Sequence, residues 1–97
     1  IHTDDMVAML PTLLDAASVP ATTINWGGDE VVSIEEWVAY LTELTGIEAN
    51  VQPSDEALPS VIVDLSKQAA LGLHSTIGWK DGVRRMVAAM EPDLLKP

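Results

Sequence analysis

Ser33-Ile34-Glu35-Glu36, followed by apolar residues at helical spacing and then by Gly46, leaves this stretch little choice but a helix. Ser33 and Glu36 have the spacing of a capping box, in which each side chain satisfies a backbone N–H at the other's position. Val32 and Trp37 stand where a hydrophobic staple would set the entry angle of the chain. Ile34, Trp37, Val38, Leu41 and Leu44 make one apolar stripe, and Gly46 follows where a left-handed cap is least costly. Upstream, Ile24 anchors a predicted short strand and Gly27-Gly28 the turn between strand and helix.

Composition sets limits around that unit. Ninety-seven residues make one domain at most, with a single modest core. Fifteen acidic residues against five basic ones give a formal charge of −10. Such a chain repels phosphate backbones and anionic lipid, so nucleic-acid and membrane-surface partners are not expected. The absence of cysteine removes disulfides and thiolate metal sites and fits a reducing, cytoplasmic setting. No stretch is long enough to span a bilayer as a helix. The chain starts Ile1-His2-Thr3-Asp4, already near a helix cap and without an initiator methionine, which suggests a piece of a larger polypeptide.

Taken in order, Thr3 or Asp4 is expected to cap a first helix whose apolar face is Met6, Val7, Leu10, Leu13, Leu14 and Ala17. Pro11 falls inside this pattern and predicts a kink, or two short helices meeting there. Ile47 to Val51 is a second candidate strand. The β-branched run Val61-Ile62-Val63 is a third. Asp64 is expected to cap a brief helix through Leu71, stopped by Gly72. A last helix is expected from Thr76 to Met90, with Trp79, Val83, Met86, Val87 and Met90 as its stripe and Pro92 beyond it. Gly78 and Gly82 would share one face of that helix, where another backbone could approach closely. These pieces describe an α/β chain, mostly helical with about four helices and two or three short strands.

As a series the pieces resemble the C-terminal part of the NAD-dependent epimerase/dehydratase family, the extended short-chain dehydrogenases/reductases. His2-Thr3-Asp4-Asp5 is similar to the family's His-Val-x-Asp segment, and Ile24-Asn25-Trp26-Gly27 to the strand ending in Asn-x-Gly. Ser33 to Gly46 corresponds to the following helix. Asp64-Leu65-Ser66-Lys67 with Leu71-Gly72 resembles the Asp-x-Ser-Lys segment ending in Leu-Gly, and Gly82-Val83-Arg84-Arg85 the closing helix. The resemblance covers nearly the whole chain.

It implies a substrate-domain portion whose N-terminal dinucleotide-binding half is absent from this sequence. The parent reaction would be NAD- or NADP-dependent oxidation, reduction or epimerisation of a hydroxyl-bearing substrate. This chain carries neither a Gly-rich phosphate loop nor a Tyr-x-x-x-Lys pair; the only tyrosine, Tyr40, has Leu44 four residues on. No catalytic, cofactor-binding or metal residue is therefore assigned to it. No arginine precedes Arg84, so nothing here takes the place of the arginine with which many relatives hold a nucleotide-sugar diphosphate. His2, Asp5 and Trp26 are the candidate linings of the substrate pocket, Trp26 because the end of a parallel strand beside a glycine turn is where open α/β sheets form a crevice. The expected partners are the dinucleotide-binding half and a second copy of the chain. A non-catalytic module that dimerises through apolar surface is the alternative reading.

Overall fold

The computed structural model describes residues 1–97 and contains four α-helices, one 3-10 turn and no β-strand. The helices are α1 (Thr3–Asp15), α2 (Ile34–Thr45), α3 (Ser66–Ala70) and α4 (Trp79–Met90), with the 3-10 turn at Pro92–Leu94. The chain divides into two compact units, one of residues 1–30 and 62–79, the other of residues 31–61 and 80–97.

The expected α/β class is overturned. None of the three candidate strands, at Ile24, at Ile47 to Val51 or at Val61 to Val63, enters a ladder. A β-branched run favours a pleated surface but cannot supply the neighbouring strand that its N–H and C=O groups require. Residues 58–63 make no hydrogen bond at all. Around Ile24, side chains take the place of a partner strand: Lys67 Nζ donates to the Thr23 carbonyl at 3.3 Å, and Asn25 Nδ2 to the Asp64 carbonyl at 3.0 Å.

In the first unit, α1 is capped by His2, whose Nδ1 accepts from the Asp4 N–H at 3.1 Å, rather than by Thr3 or Asp4. Asp4 and Asp5 then lie in the first turn, where the helix dipole favours negative charge. The helix runs unbroken through Pro11. The proline costs the Val7 carbonyl its intrahelical donor, but Val7 and Pro11 both lie on the exposed side, where water can hydrate that carbonyl. Asp5 and Met9, one turn apart, form the buried face. α3 has Leu65 and not Asp64 at its N-cap and ends at Ala70; Asp64 Oδ1 still accepts from the Ser66 N–H at 2.9 Å, and the chain leaves through Gly72 at φ +74°. Gln68 and Leu73 complete the buried set.

The second unit holds the capping box as expected: Ser33 Oγ accepts from Glu36 N–H at 3.1 Å, and Glu36 Oε2 from Ser33 N–H at 2.9 Å. Gly46 closes α2 at φ +74°. Of the predicted stripe only Leu44 is buried, while Trp37, Val38 and Leu41 are half-buried and Ile34 is exposed. The Leu44 carbonyl accepts from the Lys96 N–H at 2.8 Å, which fastens the C-terminal residues to the end of α2. On α4, Val83 and Val87 are buried, but Met86 and Met90 face solvent. Gly78 precedes α4, so it and Gly82 do not share a helix face as expected.

Candidate functional site

The polar centre of the first unit is Asp5. Its Oδ2 accepts from the Thr76 N–H at 3.0 Å and the Ile77 N–H at 2.9 Å, and its Oδ1 from the Thr76 hydroxyl at 2.6 Å. Only 3% of the residue is exposed. The Thr76 hydroxyl and the Ile77 N–H hold the carboxyl below the usual carboxylate range, against the opposing effect of burial. The last helix starts at Trp79 and not at the expected Thr76. The N–H groups of Thr76 and Ile77 belong to Asp5, and Trp79 N–H donates to Glu30 Oε1 at 2.8 Å.

Trp26 lies at the end of no strand, so the sheet crevice expected beside it does not exist. Its indole Nε1 donates to Met9 Sδ at 3.2 Å, which sets the ring against the buried face of α1 that also carries Asp5. The residue keeps 37% of its surface exposed. His2, half-buried, stands at the start of the same helix. The three predicted residues thus converge on α1: His2 as its cap, Asp5 on its buried face, Trp26 through Met9.

Gln68 and Met9 are the contributors that sequence reasoning missed. Gln68 is fully buried and holds both backbone groups of Gly27, Oε1 accepting from its N–H and Nε2 donating to its carbonyl, each at 3.0 Å. A glutamine on a five-residue helix gives no periodic signal that could have revealed this. Met9 was hidden because its neighbours Val7 and Leu10 fit the same apolar pattern.

Asp29, His74 and Ser75 also meet. Asp29 N–H donates to Ser75 Oγ at 3.0 Å, Ser75 N–H returns to Asp29 Oδ2 at 3.1 Å, and His74 Nδ1 lies 3.4 Å from the same Oδ2. An activated serine would need its hydroxyl hydrogen-bonded to the imidazole. Here Ser75 Oγ accepts the Asp29 N–H and the imidazole faces Asp29 instead, so the bonds clasp a turn.

The residues present do not fit a dinucleotide. The Gly27 N–H is taken by Gln68, and a Cβ on Gly28 would sit 3.1 Å from the backbone nitrogen of Ile1, so this glycine turn is closed against the chain and not open to a phosphate. No group of three or more His, Cys, Asp or Glu residues is placed to hold a metal. No helix is long and apolar enough to cross a membrane. Comparison with families of known proteins and with curated proteins gives no match to this chain.

Proposed function

We propose that the chain is the substrate-binding C-terminal portion of an NAD(P)-dependent epimerase, dehydratase or reductase-like enzyme, without catalytic activity by itself. The observation that supports this most is that two of the segments carrying the family resemblance are fastened to each other. Asn25 reaches Asp64 and Gln68 reaches Gly27, across separations of 39 and 41 residues.

In this reading Trp26, partly exposed beside Met9, and His2, at the start of α1, line the substrate pocket, and Asp5 holds that helix. NAD or NADP, bound by a separate dinucleotide-binding half, supplies the hydride chemistry. The cysteine-free, acidic composition suits a cytoplasmic enzyme that meets neither nucleic acid nor membrane. Calorimetric titration tests the division of labour: the chain alone should show no saturable binding of NAD or NADP, and micromolar affinity for either would refute it. Assembled with that half, Trp26→Ala should raise KM more than it lowers kcat.

A dimerising role has one observation in its favour. Val7, Leu10 and Leu14, at helical spacing on α1, are 61%, 43% and 72% exposed, an apolar stripe with no cover. The charge of −10 opposes association, but physiological salt screens it beyond roughly 8 Å. Sedimentation at tens of micromolar should show a dimer, and a single species at 10.4 kDa would count against self-association.

A further inference from the structure

Between α2 and α3 the chain from Ile47 to Leu65 holds no regular element beyond one turn, closed by Ala57 N–H on the Ser54 carbonyl. Its first part is engaged. Ile47 N–H donates to Thr45 Oγ1, and Ala49 and Val51 share a surface depression with Val38 and Ala39 of α2. Its last part is free: residues 58–63 make no hydrogen bond, and Leu58, Val61 and Ile62 are 93%, 78% and 74% exposed. An endoprotease takes its substrate as an added strand through main-chain hydrogen bonds, so it needs backbone that is both accessible and unpaired. The residues fix the kind of enzyme. No lysine or arginine precedes Lys67, which excludes a trypsin-like cut in this segment. Leu58 is followed by Pro59, which has no N–H to offer. Val61-Ile62 remains, two apolar residues that suit a small apolar specificity pocket.

What lies on either side of this segment is fastened together. Each compact unit combines one piece from before it with one from after it. The buried residues of the first unit are Asp5 and Met9 from before, Gln68 and Leu73 from after; those of the second are Leu44 from before, Val83 and Val87 from after. The bonds of Gln68 to Gly27, Thr76 to Asp5 and Lys96 to Leu44 all cross the segment. Neither side can complete a core by itself, and residues 62–97 are fewer than the roughly 40 below which chains seldom fold unaided. We infer that Val61–Ile62 is a processing site for an endoprotease with a small apolar pocket, and that the cut protein persists as a noncovalent pair of fragments, 1–61 and 62–97. Hydrolysis breaks the Val61–Ile62 amide bond; water gives its hydroxyl to the Val61 carbonyl carbon and a proton to the Ile62 nitrogen. Both new termini are charged and both lie in solvent, so the cut buries no charge. None of this rests on the oxidoreductase reading.

Brief digestion of the whole chain with elastase, followed by mass spectrometry and size exclusion in buffer and in urea, tests both halves. The first cut should fall at Val61–Ile62, and the two fragments should elute together in buffer and part only in urea. Ile62→Pro should lose this cut and keep its circular dichroism. Gln68→Leu removes a buried tie across the cut, so its nicked pair should part at lower urea than nicked wild type. Asn25→Ala removes an exposed tie and should have the smaller effect. A first cut elsewhere, as at exposed Val31, or an Ile62→Pro chain nicked as fast as wild type would overturn the site. Fragments that part in buffer would overturn the pairing, as would release at the same urea concentration for wild type and both tie variants.

Discussion

The side-chain amide of Gln68 pairs with both backbone polar groups of Gly27, 41 residues away, in the manner of a neighbouring strand. Because Gln68 is fully buried, no water can replace it without opening the unit. Gln68→Leu leaves the Gly27 N–H and C=O unpaired and should cost about 2–4 kcal/mol. Gln68→Glu keeps the acceptor but sets a carboxylate oxygen against the Gly27 carbonyl. That raises the carboxyl's folded-state pKa, so its penalty is present at neutral pH and fades as pH falls and the group protonates. Melts of both variants at pH 7 and pH 4 check this: only the glutamate should recover in acid.

Asp5 has the opposite sign. Its pKa is depressed, chiefly by the Thr76 hydroxyl and the Ile77 N–H. The stability it adds is complete above the ordinary aspartate value near 4 and is lost as pH falls through the lower folded value. Glu36, held by the Ser33 N–H, and Asp64, held by the Ser66 N–H, act in the same direction. Asp5→Asn should therefore melt well below wild type at pH 7, and the gap should close in acid. A gap independent of pH would show that shape, not charge, fixes the Thr76 turn.

Within α2, cap and core can be separated. Ser33→Ala should cost about 1 kcal/mol through the orphaned Glu36 N–H, and Leu44→Ala about 2–5 kcal/mol through loss of a buried side chain. Leu41→Ala, at a half-buried position, should fall below Leu44→Ala. Denaturant melts that reverse the two leucines would mean that the face of α2 has been misidentified.

Methionine oxidation offers a test that needs no mutation. Met90 and Met86 are 72% and 41% exposed, whereas Met9 is 3% exposed beneath the Trp26 indole. Peptide mapping after mild peroxide should find sulfoxide first at Met90, then Met86, and last at Met9. Tryptophan fluorescence should hold steady until Met9 reacts.

What the sequence by itself determined is what depends on residues within about one helical turn of each other. The Ser33–Glu36 box, the left-handed Gly46 and Gly72, and the Asp64 hold on Ser66 N–H all act over four residues or fewer, so they are legible in the chain. The His2 cap is equally local, but Thr and Asp are commoner caps than His, so Thr3 and Asp4 carry the stronger sequence signal. Tertiary structure alone decided the rest. Ile24 and Val61 to Val63 had the composition of strands, but a ladder needs a second strand, and the fold supplied Asn25, Lys67 and Gln68 side chains or nothing. The hold of Asp5 on the Thr76 N–H, 71 residues away, is likewise a matter of tertiary structure. Of the candidate site, the residues were visible in the sequence but their joining was not. Trp26 rests on Met9, Gln68 holds Gly27, and Asp5 holds Thr76 and Ile77, pairs whose members lie too far apart along the chain for any local pattern to show.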